Sequence, residues 1–198
     1  MQIKQYINWS LGSDRLNKVL ETIKSRRSIR KYIPEQIKDE ELDMILESAI
    51  YAPTGHNDQP WHFTVIQNKE LIDEMSAESK KVMAELPVDW MVKMGKAKHL
   101  HLFYNAPTVV VVSGKKDTVS PFADCCAAIQ NMLITAESLD IGSCWIGLAR
   151  FFFENEENLK KLNLPEDYEP YYAVCLGYKG SSNNKAPERN KNVVNYIK

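Results

Sequence analysis

The 198-residue chain has no long hydrophobic run. Its most apolar stretch, Val109 to Val112, is far short of the roughly 20 residues a membrane span needs. The start, Met1-Gln2-Ile3-Lys4-Gln5-Tyr6-Ile7-Asn8-Trp9, carries neither an apolar signal core nor a small-residue cleavage site, so a cytoplasmic protein is expected, with no membrane partner. Charge of one sign is also missing. The 25 Lys+Arg and 26 Asp+Glu leave −1, which argues against a dedicated nucleic-acid or membrane-surface binder but leaves room for a local basic patch. Cysteine is sparse: Cys125, Cys126, Cys144 and Cys175 form no C-x-x-C pair, so buried thiols are expected rather than a disulfide framework or zinc site. His99 and His101 are the only close histidines, and two-residue spacing puts them on different helix faces, so no metal is expected. The phosphate cradles G-x-G-x-x-G and G-x-x-x-x-G-K-[ST] and the G-x-S-x-G elbow are absent as well. A nucleotide-like cofactor would therefore have to be held by side-chain cations.

What is present is ordinary globular material, 44% hydrophobic and 26% charged. A chain this long can bury roughly 70% of its unfolded surface without a staple. Residues 1–198 read as one α+β domain. After an extension at 1–13, Leu16, Val19, Leu20 and Ile23 mark an amphipathic helix from about Asp14, capped by Ser13 or Asp14. A second helix follows Pro34, with Asp39 as N-cap and Leu42, Ile45, Leu46, Ala49 and Ile50 as its buried stripe, and Pro53 ends it. Strands are expected at His62–Gln67, Pro107–Ser113 and Tyr171–Leu176, and helices at Lys69 to about Glu85, Pro121–Leu139 and Glu154–Leu162. The stretch 86–98, with Trp90, Met91 and Met94, reads as a loop or loose helical lid, Ser143–Leu148 as a compact connection, and 179–198 as a polar tail. The small, all-round apolar helix from Pro121 suits a central position or a subunit contact.

Three clusters could carry chemistry. Arg26-Arg27-Ser28-Ile29-Arg30-Lys31 places four cations in six positions, and arginine forks with a serine hydroxyl suit a phosphate. Basic residues closing a helix would equally complement its dipole. Ala52-Pro53-Thr54-Gly55-His56-Asn57-Asp58-Gln59-Pro60-Trp61 is a stiff, amide-rich loop able to read a flat heteroaromatic ring, or simply a turn before a strand. In Leu139-Asp140-Ile141-Gly142-Ser143-Cys144-Trp145-Ile146-Gly147, glycines allow close backbone approach to a ligand, or cap a helix and pack Trp145.

In this order the clusters resemble the FMN-dependent nitroreductase family. That family pairs R-x-S-x-R with P-[ST]-x-x-N-x-Q-P-W, a valine-rich strand, a D-x-x-x-A-x-Q-N helix (here Asp124 to Asn131) and a G-S-C-W-I-G-like turn, then Leu176-Gly177-Tyr178 and a basic tail. The likeness runs from about Ile23 to Ile197. It implies an α+β fold with a central, mostly antiparallel sheet flanked by helices, in an intertwined homodimer. It also implies FMN as cofactor, NADH or NADPH as donor, and nitroaromatic or quinone-like acceptors reduced by a ping-pong mechanism. The same fold and FMN in a specialised reaction such as dehalogenation is the second reading, and an anion or nucleic-acid module built on Arg26 to Lys31 the third. By resemblance Arg26, Arg27, Ser28 and Arg30 bind FMN, with Arg26 and Ser28 toward the phosphate and Arg30 toward the N1 edge. Lys185 and Arg189 close over the phosphate. Pro53, Thr54, Gly55 and Asn57 reach the flavin of the second subunit, with Thr54 and Gly55 standing where serines are commoner. Cys144, Trp145, Ile146 and Gly147 bring a backbone donor to N5, and the resemblance assigns no acid–base side chain.

Overall fold

The computed structural model of the chain describes residues 17–181 and 185–197. The extension at 1–13 and the cap expected at Ser13 or Asp14 lie outside the described residues. Four strands, β1 (Trp61–Ile66), β2 (Thr108–Lys115), β3 (Ile141–Ile146) and β4 (Tyr168–Tyr178), form one antiparallel sheet in the order β1-β2-β4-β3. Among the described residues seven α-helices accompany it: α1 (Lys18–Ser25), α2 (Asp39–Ile50), α3 (Lys69–Ala84), α4 (Asp89–Lys96), α5 (Pro121–Ser138), α6 (Arg150–Phe153) and α7 (Glu156–Lys160).

The valine run has a simple cause: β2 is buried on both faces, so it reads as continuous apolar sequence rather than alternation. Val110 and Val112 join Val174 and Leu176 under Ile45 and Ala49 of α2 and Ile129, Met132 and Ala136 of α5. Val109 and Val111 join Cys175 and Ile146 under Ile72, Met75 and Met83 of α3 and the buried Phe151, Phe152 and Phe153 of α6. Each fully buried aliphatic or aromatic side chain contributes about 1.5–3 kcal/mol, so the two clusters set the architecture. Pro170 is tolerated inside β4 because the β2–β4 register shifts there, between Val112 and Ser113.

Several boundaries differ from expectation. Lys38, not Asp39, caps α2: its N–H donates to Glu41 Oε2 at 3.0 Å, while Asp39 enters the first turn, where a negative charge suits the dipole. Ile50, expected in the buried stripe, is 51% exposed. The charged helix is shorter than expected because Asn155 caps it, accepting from Glu157 N and Asn158 N. Residues 86–98 hold a regular helix, α4, whose Gly95 lies directly against the α3 backbone. The connection around Ser143 is a strand. No helix among the described residues is long and apolar enough to cross a membrane.

Candidate active site

The basic cluster begins where α1 ends. Asn17 caps α1 by accepting from Leu20 N, and Arg26 leaves it at φ −49°, ψ 129°. The chain then runs along the outer edge of β3. Ser28 forms a parallel bridge with Ser143, and Ile29 N donates to Ser143 O at 2.9 Å. A Cβ on Gly142 would come within 2.9 Å of Ile29 Cγ2, so the absence of a side chain there permits the approach. Tyr32 bridges Lys179, and Gly180 N donates to Lys31 O, tying the segment to the chain beyond β4.

An extended segment sends alternate side chains to opposite faces, which sorts the cluster. Ile29 is buried, while Ser28 and Arg30 approach Cys144. Burial pushes the Cys144 thiol up, opposed by Arg30, the Ser28 hydroxyl and Arg26. Arg30 Nε donates to Tyr104 Oη at 3.2 Å, its guanidinium 5.7 Å from that ring's centre. Arg27 turns back instead, donating from Nη1 to Lys24 O and Arg26 O, both at 2.7 Å. Arg26 makes no side-chain hydrogen bond or ion pair with the described residues, and Lys31 reaches Ser181 Oγ at 3.3 Å. At the end of β3, Cys144 and Ile146 are buried and Trp145 lies edge-on to Tyr172, ring centres 5.0 Å apart. Gly147 is open: a Cβ there would meet only Tyr172 Cε1, at 3.9 Å. Packing therefore does not explain the glycine.

The loop after Pro53 is built stiffly. Gly55 to Asn57 form a 3-10 turn, and His56, Asn57 and Gln59 all have positive φ. Buried Asp124, in the first turn of α5, anchors it by accepting from Gly55 N at 3.3 Å and from Ser120 Oγ at 2.9 Å. Thr54 Oγ1 accepts from Gln59 N, and Asn57 Oδ1 from Gln59 Nε2. The family-like helix signature thus has a local meaning. Asp124 holds the loop, and Asn131 Nδ2 donates to Ser48 O at the end of α2.

Within one chain these parts do not meet. The loop precedes β1, level with Gly114, whereas Ser28 lies beyond β3, level with Leu176 and Thr108. Strand spacing and rise put these corners roughly 25 Å apart. Lys185 and Arg189 are exposed and lie in neither helix nor strand. Sequence reasoning passed over Tyr104, whose only signal was its place beside Asn105 just before the valine strand. Among the described residues, no group of three or more His, Cys, Asp or Glu could hold a metal ion.

Comparisons with known proteins bear on the family and the fold. Residues 23–178 match the Nitroreductase family. A nitroreductase with bound FMN from Bacteroides fragilis is 34% identical, with TM-score 0.85 over 92% of this chain and 100% of that one. A nitroreductase with bound FMN from Desulfitobacterium hafniense is 32% identical, with TM-score 0.82 over 92% of this chain and 100% of that one. A Bacillus subtilis protein named FMN reductase [NAD(P)H] is 26% identical over 189 residues, covering 91% of this chain and 74% of its own length. A match that spans both helical layers, all four strands and the edge segment carrying Arg26 to Arg30 places the chain in the nitroreductase family.

Proposed function

We propose that the chain is an FMN-dependent oxidoreductase that takes two electrons from NADH or NADPH and passes them to a flat aromatic acceptor of the nitroaromatic or quinone class. The observation that carries this reading is the edge segment itself. R-x-S-x-R is a strand pattern, so its first, third and fifth side chains share one face beside Cys144, next to an unpacked Gly147. Arg26, with no partner among the described residues, and the Ser28 hydroxyl would hold the phosphate of FMN. Arg30 would supply positive charge at the N1 edge, and the backbone of Ile146 and Gly147 would lie along the ring near N5. Bound FMN supplies hydride acceptance and donation, which makes donor and acceptor turns of a ping-pong cycle in one pocket. The protein's part is to orient both, keep the pocket dry and fix charge where it develops.

The gap of roughly 25 Å between corners, from strand spacing and rise, supports a site shared between two copies. Pro53, Thr54, Gly55 and Asn57 of one would then cover the cofactor held by Arg26, Ser28 and Arg30 of the other, while Lys185 and Arg189 close over the phosphate. Four unpaired thiols support placement in a reducing compartment such as the cytoplasm.

The test is flavin content. Purified protein should be yellow or gain flavin absorbance with FMN, and NADH or NADPH should bleach it anaerobically. Charge-assisted hydrogen bonds contribute about 1.5–3 kcal/mol, so Arg26→Ala should weaken FMN binding roughly 10- to 100-fold. A wild-type protein that takes up no FMN sinks the reading, and an Arg26→Ala protein with undiminished affinity sinks the phosphate role.

A further inference from the structure

A turn at residues 101–106 presents Tyr104 to Arg30, and its construction is unusual. Tyr104 (φ 54°) and Asn105 (φ 52°) are consecutive left-handed residues, and a bulky aromatic residue rarely adopts that backbone. His101 holds them there. Its Nδ1 accepts from Phe103 N at 3.2 Å and from Asn105 N at 3.3 Å, and its carbonyl accepts from Tyr104 N at 3.0 Å. With two amides aimed at Nδ1, the ring must be the neutral tautomer with its proton on Nε2, which lies 3.2 Å from Asp73 Oδ1 on α3.

We propose that Tyr104 is a positioning residue for Arg30, and that neutral His101 holds the strained turn carrying it. Protonation of His101 then loosens the cation that faces the cofactor. The inference rests on the proposed contact of Arg30 with FMN and adds a reason for its pH response. A second proton would land on Nδ1 and leave the Phe103 and Asn105 amides without an acceptor. The charged groups around the ring are Asp73, which favours the protonated form, and Lys69 and Lys80, which oppose it, all on α3. Lys69 itself pairs with Asp73, and Lys80 Nζ donates to Ala97 O and Leu100 O. Burial outweighs the carboxylate and holds the imidazole below its usual range, so the turn is intact at neutral pH and loosens as pH falls.

The test compares affinity for oxidised and reduced FMN in the full-length protein, from about pH 5.5 to about pH 8. A lost hydrogen bond corresponds to about a threefold to tenfold change. Tyr104→Phe, which keeps the ring, should weaken binding of reduced FMN by that factor at about pH 8 while changing oxidised FMN less. His101→Asn replaces the Nδ1 acceptor with an amide oxygen that does not titrate. It should match wild type near pH 8 and lose part of wild type's decline toward low pH. The His101 ring signals of wild type, followed by NMR, should titrate where that decline sets in, whether or not the variant folds. If Arg30→Ala lowers affinity for reduced FMN and Tyr104→Phe does not, the positioning role is overturned while the parent reading stands. If Arg30→Ala changes neither affinity, the proposed contact of Arg30 with FMN fails and takes this inference with it. Identical pH curves for His101→Asn and wild type, or a His101 titration far from the decline, overturn the part given to His101.

Discussion

Arg26 and Arg27 are adjacent in sequence and face opposite ways. The Arg27 guanidinium closes the carbonyl end of α1, where both basic charge and donors are favourable, while the Arg26 guanidinium makes no side-chain hydrogen bond or ion pair with the described residues. The two alanine variants should therefore separate. Arg27→Ala should cost roughly 1 kcal/mol of stability and leave FMN affinity nearly unchanged. Arg26→Ala should do the reverse, and thermal melts alongside flavin titrations decide. The thiols divide as sharply. Burial pushes Cys125 up to about 12 and raises Cys126, Cys144 and Cys175 as well, but of the four only Cys126 is half-buried rather than buried. Since the thiolate is the reactive form, iodoacetamide at about pH 8 should label native protein slowly and at Cys126, with the other three reacting only after denaturation. Fast labelling of Cys144 in the native state would contradict its burial.

At the level of elements, Gly95 sets two effects against each other. Alanine in a helix interior ordinarily gains nearly 1 kcal/mol over glycine. Here its Cβ would stand 2.6 Å from Ala84 N and 2.7 Å from Lys80 O, backbone atoms of α3 that cannot rotate away. The clash wins: Gly95→Ala should lose about 2 kcal/mol, or about 4–8 °C in Tm, and free α4 to exchange its amides faster. An unchanged Tm would mean that α4 is not seated on α3 in solution. The same contrast between local and tertiary signals explains what could be read in the chain. The valine strand, α3 and α5 carry their own periodicity or composition, so their positions were legible within a few residues. β3 was not, because Gly142 and Ser143 are poor strand formers and the strand exists through its pairing with β4 on one side and Ser28 on the other. The edge segment depends on β3 in turn. Its arginines were visible as a cluster, but which of them point together became visible only with the strand. The Asp124 anchor of the loop, 69 residues from Gly55, is likewise a tertiary fact that spacing cannot express.

For the whole molecule, the exposed apolar surface is informative. α1 has the alternation of an amphipathic helix and yet buries no residue: Val19 is 62% exposed and Ile23 45%. An eight-residue helix is too short to persist on propensity alone and needs a packing partner for its apolar face. Ile50 and Tyr51 at the end of α2, and Val119 and Phe122 at the start of α5, add further apolar surface, the last two beside the loop anchored by Asp124. If a second copy covering these faces brings the Gly55 corner of one chain to the Ser28 corner of the other, one association resolves both the exposure and the separation of roughly 25 Å. Two linked outcomes are expected. Sedimentation should give a dimer, and Val19→Glu combined with Ile23→Glu should shift it toward monomer. Because each cofactor would draw contacts from both copies, FMN affinity should then fall with protein concentration, although Arg26, Ser28 and Arg30 are untouched. A monomer that keeps wild-type FMN affinity at every concentration would mean that a single chain holds the complete site.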